Sequence, residues 1–217
     1  MPGLLFSQME PPSELEDEFH DWYNAEHIPA RMALPGFTSA VRYEALEGKP
    51  RYLACYFLHD MHELDSAAYG ELKRDPSERT ARMLGAVNGF TRYICDQISD
   101  TGQPARTPTL LSVVAFSVPS DARDAFEQWY AGEHVPMLMK AAGWLRVRRY
   151  AARPGGDGPA WTHLALHELA DASAMDSPER AAARDTPQRA ALARHDWFGR
   201  SGRWLYRPIH TAVSTVN

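Results

Sequence analysis

The chain has 217 residues, with 23 Lys and Arg against 28 Asp and Glu, a formal charge of −5 and 44% hydrophobic residues. That suits one large domain or two small ones with packed cores, and the acidic balance argues against a nucleic-acid partner, which would want a basic face. No apolar run approaches the roughly 20 residues that span a bilayer, and Met1-Pro-Gly-Leu-Leu-Phe-Ser has neither the basic region nor the apolar stretch of a signal peptide, so no membrane partner and a cytoplasmic location are expected.

Leu4 to Met9 reads as the first strand, ended by Glu10-Pro11-Pro12. Ser13 is placed to cap a helix over about 14–27, with Glu14, Glu16 and Asp17 favourable in its first turn. Leu15, Phe19, Trp22 and Tyr23 recur at helical spacing, and Pro29 is expected to end the helix. Phe37 to Leu46 and Arg51 to Leu58 read as strands joined by Glu47-Gly-Lys-Pro50; the second is apolar on both faces, which calls for cover on both sides. Residues 60–87 read as helical with a break at Asp75-Pro76-Ser77, and Ser77 is placed to cap the second piece. Gly89 to Ile98 is a fourth strand, and Ser99 to Pro108 a linker.

The order then repeats: a strand at Leu110–Val118, a helix at Asp121–His134 stopped by Pro136, strands at Trp144–Ala152 and Trp161–Glu168, helical residues 170–198 broken at Pro178 and Pro187, and a last strand at Arg203–Ile209. The repeat is visible in the residues themselves. Phe19, Trp22, Tyr23, Glu26, His27 and Pro29 recur at one constant offset as Phe126, Trp129, Tyr130, Glu133, His134 and Pro136, and the register holds through Arg42/Arg149 and Tyr43/Tyr150. A period this long points to duplicated domains, since solenoid repeats run about 20–50 residues. The expected division is a first half at 1–98, a linker at 99–108 and a second half at 109–217. Each half reads β-α-β-β-α-β, a ferredoxin-like arrangement, so the fold class is α+β, with two such halves packed sheet to sheet inside one chain.

Trp-Tyr-x-x-Glu-His-x-Pro, followed by Pro35-Gly36-Phe37, resembles the EthD-type branch of the dimeric α+β barrel superfamily. Members of that superfamily usually dimerise sheet against sheet, so the resemblance implies a tandem chain that supplies both sheets and encloses a cavity. It includes muconolactone-type isomerases, cofactor-free monooxygenases of polyketide quinones, cyclases and dehydratases, haem proteins, and members without known activity. Fold alone therefore does not fix function.

His27 and His134 are the residue type repeated in both copies that titrates near neutrality, which suits proton transfer. The resemblance implies a catalytic histidine near this position; the alternative is a helix-capping imidazole meeting the helix dipole. His134 is taken as the first choice and His27 as the second. Glu26 and Glu133 read as structural partners, and Trp22 and Trp129 as core. Arg42 and Arg149 stand among apolar neighbours, so each is either paired with an acid, with Glu26 and Glu133 as candidates, or placed to stabilise an anion such as an enolate. Tyr23 and Tyr130 could turn hydroxyls to a pocket. Trp161, His163 and His167 fall on one face of a strand, which makes the second copy the expected working site. An i,i+4 pair on a strand lies about 13 Å apart, too far to chelate one metal. No Cys or His pair has zinc-finger spacing, and no residue singles itself out as a haem ligand, so no metal and no cofactor are expected. Cys55 and Cys95, in apolar runs, read as buried free thiols.

Two functions follow. One is a cofactor-free enzyme, a lyase or isomerase, acting on a small, mainly apolar carbonyl, lactone or phenolic compound by histidine-mediated proton transfer. The other is a non-catalytic module that binds a small molecule in the cavity. A homodimer of the tandem chain is left open.

Overall fold

The computed structural model describes residues 1–216; the last residue of the expected second half, Asn217, lies outside the described residues. The chain forms two compact units, one from Met1–Asp96 with Gly155–Gly158 and the residues from Pro208 on, the other from Gln97–Pro154 with Pro159–Arg207.

The first unit holds β1 (Gly3–Glu10), β2 (Phe37–Ala45), β3 (Tyr52–Leu58) and the start of β4 (Asn88–Thr101). Antiparallel pairing gives the order β2-β3-β1-β4. Central β1 and β3 are buried along almost their whole length, which is why their sequences show little polar alternation. The helices are α1 (Glu16–Trp22), α2 (Ile28–Met32), α3 (Ala67–Arg74) and α4 (Glu78–Ala86). Phe19, Trp22, Tyr23, Phe37 and Tyr56 join one core, and Trp22 is fully buried.

The second unit repeats the plan with β5 (Leu110–Phe116), β6 (Trp144–Ala152), β7 (His163–Leu169) and β8 (Gly202–Val213), the last of which runs on into the first unit's residues. Its strand order is β6-β7-β5-β8. The helices are α5 (Arg123–Trp129), α6 (Val135–Leu138), α7 (Pro178–Arg184), α8 (Pro187–Leu192) and α9 (Asp196–Gly199). Phe126, Trp129, Tyr130 and Trp144 form its core. Each unit thus carries one four-stranded antiparallel sheet.

Several sequence expectations are corrected here. Ser13 caps no helix: its hydroxyl bonds Glu14, and a short 3-10 turn at Ser13–Leu15 leads into α1. The helical stretch 170–198 is interrupted at Pro178 and Pro187 as expected, and each proline opens the next helix, where the first turn needs no N–H. Ser77 does cap α4, accepting from the Thr80 amide. Pro29 and Pro136 do not end their helices, for a reason that bears on the site. Among the described residues, Cys55 and Cys95 are buried and not joined in a disulfide. Among the described residues, no helix is long and apolar enough to cross a membrane.

Candidate functional site

Between α1 and α2 the backbone widens into a π turn at Tyr23–His27, where the Ile28 amide reaches back to the Tyr23 carbonyl. The second unit does the same at Tyr130–His134, with the Val135 amide bonding the Tyr130 carbonyl. A proline in a regular helix lacks an N–H and clashes with the carbonyl four residues back. The wide turn re-routes the hydrogen bonds just ahead of the proline, so Pro29 and Pro136 sit in the first turn of a continuing helix. The imidazoles of His27 and His134 therefore occupy the middle of a helix and do not cap its end, although His134 bonds a last-turn carbonyl of α7, that of Ala183.

In the first unit this turn faces a cavity of about 530 Å³, lined by His27, Tyr23, Arg31, Tyr56 and apolar groups such as Leu5, Met9, Leu72 and Phe90. That size suits a small organic ligand. The His27 ring packs against Trp22 at 4.3 Å and Tyr23 at 4.9 Å between centroids. Among the described residues nothing hydrogen-bonds that ring. Burial, then the positive charges of Arg31 and Arg42, hold its pKa well below the usual histidine value, so it is neutral at pH 7. Arg31 donates to the His27 carbonyl at 3.0 Å. Its buried Nε has no acceptor, and its guanidinium lies 5.5 Å from the Tyr56 ring centroid. The Tyr56 hydroxyl is buried beside Tyr23 without a well-formed hydrogen bond. Burial raises both phenol pKa values, so both remain proton donors.

The second unit places corresponding residues around a pocket of only about 60 Å³. The strand registers fix the correspondence. Leu5 opposes Tyr56 as Ser112 opposes His167, and Ser7 opposes Arg92 as Val114 opposes Arg203. Here the Tyr130 hydroxyl bonds His167 Nε2 at 2.9 Å, and Trp144 Nε1 donates to His167 Nδ1 at 3.1 Å. His134 Nδ1 donates to the Ala183 carbonyl at 3.1 Å. Burial takes the pKa of His134 down to about 4 and that of His167 to about 3. Phe198, on α9, packs 5.4 Å from Phe116 and 5.3 Å from Trp129, closing space that the first unit leaves open.

The other sequence candidates lie elsewhere. Glu26 accepts from the hydroxyls of Ser77 and Thr80, and Glu133 from Thr186, so each ties the wide turn to the N-terminus of a following helix and neither pairs with an arginine. Arg42 lies over the Tyr23 ring and is held by Asn24 and His20. Arg149 lies over Tyr130 and pairs with Glu127 at 2.6 Å. Neither arginine lines either cavity. His163 packs against Phe126 and lies 3.5 Å from Glu127, so its face of β7 meets the unit's own helix α5. Trp161 precedes β7 and lines a surface recess with His195 and Trp197. Sequence reading missed Arg31 and Tyr56 in the first unit and the arginines of α7, α8 and β8 in the second. Arg180 and Arg184, one turn apart, were the visible signal for the last group. Among the described residues, no three of His, Cys, Asp and Glu are placed to hold a metal ion.

No curated protein matches the sequence. Residues 9–101 match a family described as a domain of unknown function, DUF4286. Solved structures match the whole chain. An anthrone oxidase-like protein aligns with a TM-score of 0.70 at 12% identity, covering 99% of this chain and 93% of that one. A Fusobacterium nucleatum protein provisionally named a monooxygenase aligns with a TM-score of 0.64 at 10% identity, covering 98% and 94%. A variant of the chlorite dismutase of Candidatus Nitrospira defluvii aligns with a TM-score of 0.60 at 9% identity, covering 96% and 91%. The fold is like that of these proteins. At these identities the likeness speaks to fold alone, one that small-molecule enzymes use.

Proposed function

We propose that the chain is a cofactor-free enzyme of the EthD-type branch, built from two ferredoxin-like halves, and that its first half acts on a small, mainly apolar carbonyl, lactone or phenolic compound. His27 would take a proton, chiefly from carbon next to a carbonyl. The observation that carries this reading is the 530 Å³ cavity whose wall holds a neutral imidazole with no hydrogen-bond partner, beside a guanidinium with no carboxylate partner among the described residues. Arg31 and the phenols of Tyr23 and Tyr56 would stabilise the resulting enolate or phenolate, since fixed donors near developing negative charge lower the barrier. The proton then returns at another carbon in an isomerisation, or a leaving group departs in a dehydration. Proton removal would also begin an oxidation by dioxygen, a branch favoured by the anthrone oxidase-like and monooxygenase names of the structural neighbours. The choice of His27 over His134 rests on the second half's pocket being packed with aromatic side chains and its histidine bonded to a carbonyl.

The reading also takes in a small-molecule partner instead of nucleic acid or membrane, a cytoplasmic compartment that keeps both cysteines reduced, and a homodimer of the tandem chain, to be read from its mass in solution. The test is carbon–hydrogen exchange. The protein is incubated in D₂O with lactones, anthrone-type ketones and phenolic ketones, and NMR follows deuterium uptake. Exchange with one class, lost in His27→Ala and kept in His134→Ala, is the expected result. Saturable binding with no exchange would leave the non-catalytic binding module as the correct reading.

A further inference from the structure

The second unit's pocket is too small for an organic substrate, yet its rim is strongly charged. Arg180 and Arg184 on α7, Arg189 on α8 and Arg203 on β8 all line it, and no Asp or Glu does. The hydrogen bonds of these side chains go to the Met175 carbonyl, the Arg184 carbonyl and the Ser201 hydroxyl, and none of the four has a carboxylate partner within ion-pair distance among the described residues. Four like charges converging on one opening repel one another. Burial, with the positive charge of Arg184 adding to it, lowers the pKa of Arg180, Arg189 and Arg203, and Asp176 offsets only part of this at Arg180.

A second observation is independent of charge. In the first unit, Trp22 Nε1 donates to Thr80 Oγ1 at 2.9 Å. The caps fix the counterpart of Thr80: Ser77 accepts from the Thr80 amide, and Thr186 accepts from the Arg189 amide. Arg189 cannot accept a hydrogen bond, so Trp129 Nε1 is buried on the wall of this pocket with no acceptor. An unmet buried donor is costly. The same capping argument pairs Tyr69 with Arg180, since each amide bonds the serine that starts its helix. Two neutral positions of the first unit have thus become cationic in the second.

We propose that this pocket binds a doubly charged, phosphate-type oxyanion, held by Arg180, Arg184, Arg189 and Arg203 with the Trp129 indole N–H as a further donor. Guanidinium forks match oxyanion geometry. A volume of about 60 Å³ takes a tetrahedral head and excludes a bulky body. The site stands whether or not the first half is catalytic.

The test titrates the full chain with inorganic phosphate at constant ionic strength, and in a second arm with phenyl phosphate, following heat and the indole N–H resonance of Trp129. Saturable binding with a shift of that resonance is expected. Arg180→Gln with Arg184→Gln should weaken it at least tenfold. Arg189→Thr, which restores the acceptor that Trp22 has, should do the same while leaving the phosphate-free protein no less heat-stable. Tighter binding of phenyl phosphate would mark the anion as the head of an aromatic ligand, and equal binding would mark a free ion; both support the site. No saturable binding of either probe at millimolar concentration, or unchanged binding in Arg189→Thr and in Arg203→Gln, would overturn it.

Discussion

The two units place a histidine at the same point of the same wide helical turn, and the space in front of it has gone opposite ways. In the first unit His27 looks into room for a ligand, and Arg31 Nε and the Tyr56 hydroxyl beside it lack partners. In the second, Trp144 and His167 replace Phe37 and Tyr56, and a closed set of hydrogen bonds runs from Tyr130 through His167 to Trp144. The comparison teaches that the repeated motif is a scaffold. What separates an open cavity from a packed one is a handful of strand and late-helix positions outside it, chiefly at Met9/Phe116, Phe37/Trp144 and the extra helix that brings Phe198.

The comparison breaks most directly at the histidines. With a substrate in hand, His27→Ala should lower turnover by about 10²–10⁴-fold. His134→Ala should leave turnover near wild type and lower stability, because it removes a buried ring and its bond to Ala183. The reverse pattern would move the working site to the second unit.

The tryptophans come next. Trp22 and Trp129 are 0% and 2% exposed, so Trp→Ala at either should cost about 3–5 kcal/mol in denaturant unfolding. Trp22→Phe should cost more than Trp129→Phe, since only Trp22 has an acceptor to abandon.

Acid titration sharpens the contrast further. His134 and His167 have folded pKa values of about 4 and about 3, below an unfolded value near 6.5. Between those limits the unfolded chain binds more protons, so stability is full above about pH 6.5 and falls as pH drops. Each histidine contributes a slope approaching 1.4 kcal/mol per pH unit, on the order of the linkage limit. His167→Gln should flatten that slope in urea unfolding measured from pH 7 to pH 4. An unchanged slope would show that His167 is already charged in the folded protein.

The smallest effect concerns the ties between Glu26 and Ser77 and between Glu133 and Thr186. Ser77→Ala and Thr186→Ala each remove a helix cap and should cost about 1 kcal/mol. Similar values in the two units are expected; a much larger one at Ser77 would show that this tie also shapes the open cavity.

The order of strands and helices was legible because each strand is a short apolar run bounded by Gly, Pro or charged turns, and because the motif recurs at a constant offset with the same order of runs after it. Helix ends were less legible. Pro29 and Pro136 looked like stops, since composition does not show that a wide turn can absorb a proline. Tyr23, Tyr130, His27 and His134 were found from the motif, and the structure puts all four on cavity walls. Arg42 and Arg149 were not separable from ligand-binding arginines by sequence, because their partners, His20 and Glu127, lie a strand and a helix away. Arg31 and Tyr56 escaped notice because nothing local marks them. The size of a cavity is a sum over residues far apart in the chain, and no motif records it.

The wide turn has a consequence for how the protein tolerates change. A π turn is one residue more than the helix needs, held as an insertion that never disturbed the turns before it. Deleting a single exposed residue there, Ala25 in one unit or Gly132 in the other, would let the backbone close into a regular helix with its flanking turns roughly in place, and the wide turn itself would be lost. The histidine would leave its station and the proline would regain its clash. Length in this stretch is therefore fixed more tightly than identity: substitutions at Ala25 are tolerable, while a deletion of one residue puts Pro29 back into a regular helix that it cannot enter without a clash.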